Sequence, residues 1–100
     1  MTLDDLMRDI QALREDLLIF ERKYGVPTEV FYEAYQRGEE PKDPAWMLDW
    51  SEWAATYQLL QDRLADYDEG VRRLLLNSVV TNLSELIGRT ARHESVTVPA

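Results

Sequence analysis

Residues 46–67 read WMLDWSEWAATYQLLQDRLADY, and the spacing of their large apolar side chains decides the fold. Trp46, Trp50, Trp53, Tyr57, Leu60, Leu64 and Tyr67 follow one another in alternating steps of four and three residues. That spacing lines one stripe of an α-helix and packs it against another helix. A second seam of the same kind lies at the start of the chain, through Leu3, Leu6, Ile10, Leu13, Leu17, Phe20 and Tyr24. Two stripes of similar length, joined by a link short enough to bring the chain back beside itself, predict an antiparallel helix pair.

Working outward from these seams, the first helix starts at a Thr2 cap with Asp5 near its positive end and runs to about Tyr24. Gly25 supplies its left-handed C-terminal residue and Pro27 blocks continuation. Thr28 is then expected to cap a short second helix, with Val30, Phe31, Ala34 and Tyr35 on one face and Gly38 at its end. Residues 38–44, GEEPKDP, form a loop in which Asp43-Pro44 marks the N-cap and first residue of the third helix. That helix should reach about Asp68. Gly70 either ends it or sits inside one longer helix at a cost of about 1 kcal/mol.

Beyond Gly70, Val71, Leu75, Val79, Leu83 and Ile87 recur every four residues, flanked by Leu74, Leu76, Val80 and Leu86. The pattern predicts a fourth helix closed by Gly88, with a strand near Ser78–Thr81 as the alternative. Its broad apolar face is expected to pack on another chain, as a homo-oligomer or a hetero-complex, or else to leave the helix poorly ordered in an isolated monomer. The predicted fold is therefore all-α: a small helical bundle with helices 1 and 3 antiparallel, a short helix 2 crossing one end, and a C-terminal helix 4. Residues 1–88 form one domain. Residues 89–100 form a tail, flexible or ordered by a partner, in which Val96-Thr97-Val98 would make a short strand if a partner offered an edge.

The chain carries 11 Lys/Arg against 19 Asp/Glu. Residues 1–69 hold 7 of those cations and 17 of those acids, so the excess is concentrated there. An acidic body repels phosphate backbones and membrane surfaces and attracts basic partners. There is no cysteine, and the acidic start and short apolar runs predict a cytoplasmic chain without a membrane span. No cofactor or metal is expected. The single histidine, His93, has no second ligand at metal spacing, and the glycines are scattered singly instead of forming a phosphate loop. Asp49 with Glu52, and Asp62 with Asp66, share helix faces, but no nucleophile or histidine stands beside them. The pattern reads as a non-enzyme.

Three stretches invite a comparison. Lys23-Tyr24-Gly25-Val26-Pro27-Thr28-Glu29-Val30-Phe31-Tyr32, then Tyr35-Gln36-Arg37-Gly38-Glu39, then Trp50, Trp53 and Tyr57 form a pattern over about residues 8–67. It resembles small helical antitoxin-like proteins of bacterial and archaeal toxin–antitoxin modules, many of them encoded beside a small toxin. The segment after Gly70 lies outside that pattern. The resemblance implies a protein that binds and neutralises a cognate toxin. Such toxins tend to have basic sites, which an acidic helical partner would complement. Tyr32, Glu33, Glu39, Glu40, Asp43, Trp46 and Asp49 are the expected partner-binding residues: aromatic anchors among acids that outnumber the local cations Arg37 and Lys42. A self-associating helical adaptor is the alternative. A third reading, a DNA-binding helix-turn-helix, is opposed by the long 38–44 connection and by the acidity of its flanks.

Overall fold

The computed structural model describes residues 1–99. The chain is helical, with α1 at Leu3–Tyr24, α2 at Thr28–Gln36, a 3-10 turn at Pro44–Trp46, α3 at Met47–Leu76 and α4 at Leu83–Thr90. Among the described residues the only β feature outside these helices is one antiparallel bridge, Thr2 with Thr97. Two compact units result. A terminal unit comprises Met1–Gln11 with the chain from Asp62 onward, and a central unit comprises Ala12–Gln61.

In each unit a half of α1 packs against a half of α3, forming the predicted helical bundle. In the central unit Phe20 stacks on Trp53 and Tyr24 bonds to Asp49. In the terminal unit Arg63 reaches Asp9, and Leu3 lies against Gly70. Within each unit the residue numbers of such pairs add to nearly the same total, as antiparallel helices require. The first seam is buried or half-buried along its whole length; in the second, Trp53 and Leu60 are buried while Trp46 and Leu64 are exposed.

The caps explain where the helices start. Thr2 Oγ1 accepts from the Asp5 N–H at 3.1 Å, while the Thr2 N–H donates back to Asp5 at 3.4 Å, a reciprocal capping box. Asp43 Oδ1 accepts from the Ala45 N–H, so the expected Asp-Pro start holds as a 3-10 turn leading into α3. Gly25 and Gly38 adopt φ of 75° and 87°, left-handed positions that glycine occupies without strain. Thr28 differs from its expected role. Pro27 is the N-cap residue, with no side-chain cap bond of its own. The Glu21 carboxylate from α1 instead accepts from the Thr28 N–H at 2.8 Å, placing a negative charge on the positive end of α2.

Past Gly70 the expected fourth helix is redrawn. Residues 71–76 are the last turns of α3, the chain turns at 77–82, and α4 runs through Gly88 to Thr90. The break comes where Ser78 takes a left-handed φ of 56°. A second capping box restarts the helix: Asn82 accepts from the Glu85 N–H, and Glu85 accepts from the Thr81 N–H and hydroxyl. The alternative strand at 78–81 is absent as well. The four-residue repeat is consequently not a buried stripe: Leu75, Val79, Leu83 and Ile87 are exposed, whereas Leu74, Val80 and Leu86 are buried.

The core of the terminal unit joins Leu3, Leu6, Leu74, Val80, Leu86 and Val96. Val96 belongs to the tail, and the edge it pairs with is the chain's own N-terminus. The Leu3 N–H donates to the Val96 carbonyl at 2.9 Å, and the Val98 N–H donates to that of Met1 at 3.4 Å. This close approach accounts for Gly70. A Cβ there would stand 3.0 Å from Val98 Cγ2 and 3.2 Å from Leu3 Cδ2. No helix among the described residues is long and apolar enough to cross a membrane.

Candidate functional site: an aromatic groove

The central unit is organised around Trp53, which is 1% exposed. Phe31 of α2 lies parallel to it at 3.9 Å between ring centroids, and Phe20 and Tyr24 of α1 stack on it at 5.8 and 5.7 Å. A buried indole N–H needs an acceptor. Trp53 Nε1 donates to Thr28 Oγ1 at 3.0 Å, and that hydroxyl donates to Glu21 Oε2 at 2.9 Å. The relay ties all three helices of the unit together, which is why the hydroxyl of Thr28 is buried.

A second tie holds the start of α3 to the end of α1. Asp49 Oδ2 accepts from Lys23 Nζ and from the Tyr24 hydroxyl, both at 2.6 Å. The Lys23 and Tyr24 hydrogen bonds hold the Asp49 carboxyl below the usual carboxylate range, and the Asp49 bond raises the Lys23 ammonium. Burial, and then the bond to Asp49, push the Tyr24 phenol up.

Between these ties the aromatic rings leave an open groove of about 270 Å3. Its walls are Tyr24, Trp46, Trp50 and Trp53 on one side and Val26, Val30, Phe31 and Ala34 on the other, with Glu39 at the rim. Trp46 is 38% exposed and meets the edge of Tyr24 at 5.7 Å; Val30 is 58% exposed. Trp50, edge-on to Phe31 at 5.2 Å, has an Nε1 shielded from solvent with no acceptor among the described residues. An apolar, ring-walled groove with an acidic rim is suited to an apolar side chain carried by a basic segment.

The structure brings two of the predicted site residues, Trp46 and Glu39, to this groove. Asp43 caps the 3-10 turn, and Asp49 is engaged by Lys23 and Tyr24. Tyr32 lies elsewhere on α2, edge-on to Tyr57 at 4.8 Å and donating to Gln58 Oε1; Glu33 pairs with Arg37. Glu40 is exposed. Val26, Val30 and Ala34 were missed as groove residues. The available signal was that the apolar face of α2 is wider than one neighbouring helix stripe can cover.

Charge pairing differs between the units. Every acid of the terminal unit has a hydrogen-bond, ion-pair or other electrostatic partner, such as Asp4 with Arg8, Asp68 with Arg72 and Glu69 with Arg73. In the central unit the side chains of Glu15, Asp16, Glu29, Glu39, Glu40 and Glu52 have none among the described residues, whereas Arg14, Arg22 and Lys42 are its unpaired cations. No group of three or more His, Asp or Glu among the described residues is arranged to hold a metal ion. Compared with known proteins, the chain matches no family model, no curated protein and no solved structure.

Proposed function

We propose that this chain is a non-catalytic protein-binding module of the antitoxin kind, which binds and neutralises a basic toxin. The observation that carries the reading is the aromatic groove at Trp46, set in a unit whose unpaired acids outnumber its unpaired cations. The sequence resemblance over residues 8–67 supports it, since that stretch contains the whole groove. Trp46 would anchor the complex, while Glu39 and Glu40 would steer a basic surface toward it. The test is binding kinetics against the product of the adjacent gene, with growth rescue in cells expressing that product. Reversing Glu39 and Glu40 to Lys should slow association in a salt-dependent manner, and Trp46→Ala should raise the dissociation rate. A harmless neighbouring product, or one that binds the triple variant as tightly as the parent, refutes the reading.

A second reading, self-association, is favoured by one observation: Leu76 is 83% exposed at the end of α3, and Leu83 and Ile87 are exposed on α4. Light scattering at micromolar concentration tests it, with Leu76→Lys expected to reduce the mass of any oligomer.

A further inference from the structure

The central unit has a second open groove, which shares no residue with the aromatic one. It lies between α1 and α3 and has a volume of about 390 Å3. Ile19 and Phe20 on α1 face Ala55 and Leu59 on α3 across it, and Asp16 and Glu52 stand at its borders. Ile19 is 63% exposed and Leu59 46%. α2 contributes nothing to this groove, because its Phe31 and Tyr32 are spent on Trp53 and Tyr57. α2 packs on the α1/α3 pair elsewhere, and at this groove the pair presents apolar residues that a further helix could cover.

We infer that this groove is a docking site for a basic amphipathic helix of a partner protein. Three features select that occupant. The groove runs between residues 16–20 of α1 and 52–59 of α3, and the small Ala55 on its α3 side lets another helix approach closely, as helix-in-groove recognition requires. Its apolar residues match apolar side chains spaced at i, i+3 and i+4 on an incoming helix. Asp16 and Glu52 have no intramolecular partner, so lysine or arginine flanking that apolar stripe would pair with both. A second copy of this chain fits poorly. A two-fold contact through the groove would bring the Asp16 and Glu52 of one copy toward the same acids of the other, like charge near like charge.

The probe is a labelled synthetic helix of leucine and lysine in heptad spacing, titrated into the full chain, with a leucine–glutamate helix as the charge control. Binding by the lysine helix should weaken about tenfold in Asp16→Lys/Glu52→Lys. It should weaken comparably in Ala55→Phe, which fills the groove without changing its charge. Asp68→Lys/Glu69→Lys, in the terminal unit and outside both grooves, makes the same change in net charge and should have a smaller effect. All these positions are exposed, so circular dichroism should show the parent's helicity. Methyl chemical shifts of Ile19, Ala55 and Leu59 should move on titration. Full binding by Ala55→Phe, an equal loss from Asp68→Lys/Glu69→Lys, or equal binding of the glutamate helix overturns the inference. So does a homodimer broken by Ala55→Phe, which would assign the groove to a second copy. The probe is independent of the adjacent-gene product, so failure here leaves the antitoxin test standing, and the reverse holds too.

Discussion

Gly70 offers the sharpest test of how the terminal unit is built. In an exposed helix interior, Gly→Ala stabilises by about 1 kcal/mol, because alanine loses less backbone freedom on folding. At Gly70 the added methyl would stand 3.0 Å from Val98 Cγ2 and 3.2 Å from Leu3 Cδ2. Leu3 is 1% exposed within the core and has nowhere to retreat; Val98, half-buried on the tail, is the side that must give. Overpacking of this kind costs about 1–3 kcal/mol. The two terms together predict that Gly70→Ala destabilises the chain by about 1 kcal/mol.

The decisive measurement is a double-mutant cycle with Val98→Ala, which removes the nearer contact. In that background Gly70→Ala should recover most of its helix propensity and be neutral or stabilising, giving a coupling of about 1–2 kcal/mol. Because Trp46, Trp50 and Trp53 all lie in the central unit, tryptophan fluorescence is the wrong probe. Urea unfolding followed by circular dichroism at helical wavelengths is appropriate. If Gly70→Ala stabilises the parent by about 1 kcal/mol and Val98→Ala changes nothing, the tail does not pack on α3 and the account of Gly70 is wrong.

Thr28→Val keeps the shape of the residue but strips the acceptor from Trp53 and a donor from Glu21; a loss of about 1–3 kcal/mol is expected, with an altered near-ultraviolet tryptophan signal. An unchanged midpoint would mean the relay contributes nothing. Leu17→Ala, in the buried part of the first seam, should cost about 2–5 kcal/mol, and half-buried Leu13→Ala should cost less; equal and negligible effects would remove this seam from the core. The folded-state pKa of Asp49 is depressed, so its contribution to stability is present above the ordinary carboxylate pKa and is lost as pH falls through the lower folded value. Lys23 is raised, so its share persists below the ordinary lysine pKa and is lost only as pH climbs past the raised value. Asp49→Asn should therefore flatten the acid limb of a stability–pH profile and leave neutral pH without slope. Some acid dependence should remain from Asp5 and Glu85, whose carboxyls the Thr2 and Thr81 caps also hold down. An unchanged acid limb would show that the tie from Asp49 to Lys23 and Tyr24 is not formed.

The helix pair was legible because an alternating three–four step is hard to satisfy by anything except a helix seam. The same phase, carried past Gly70, leads to Val71 and the buried Leu74, so the length of α3 was also written in its sequence. The every-four repeat from Val71 to Ile87 misled for a geometric reason. A strict step of four overshoots a 3.6-residue turn by about 40° each time, so such a series winds around a helix instead of lining one side. The Thr81-Asn82 and Glu85 capping box marked the true start of α4. What the sequence could not supply was tertiary cover. Gly70 is explained by a tail far along the chain, and Val30 becomes a groove wall because no neighbour reaches it. Asp49 and Tyr32 looked available to a partner until Lys23, Tyr24, Tyr57 and Gln58 were found to occupy them.

The distribution of charge follows from spacing along the helices. In the terminal unit, acids precede arginines by four residues at Asp4–Arg8, Asp68–Arg72, Glu69–Arg73 and Glu85–Arg89, the orientation that favours a pair within one helix. In the central unit the positions four residues after Glu15, Asp16, Glu29 and Glu52 are Ile19, Phe20, Glu33 and Thr56, so no such pair is possible. Carboxylates left this way gain nothing from an ion pair, although Glu29 still sits in the first turn of α2, where the helix end favours an acid. Solubility alone would explain acids placed anywhere on the surface. It does not explain why Asp16 and Glu52 border an exposed Ile19 and Leu59, or why Glu39 stands beside Trp46. Unpaired acid beside exposed apolar surface disfavours self-assembly there and favours a partner that brings cations and apolar side chains together. On the proposed reading the central unit would be the part the protein offers to others, while the terminal unit has its acids matched internally.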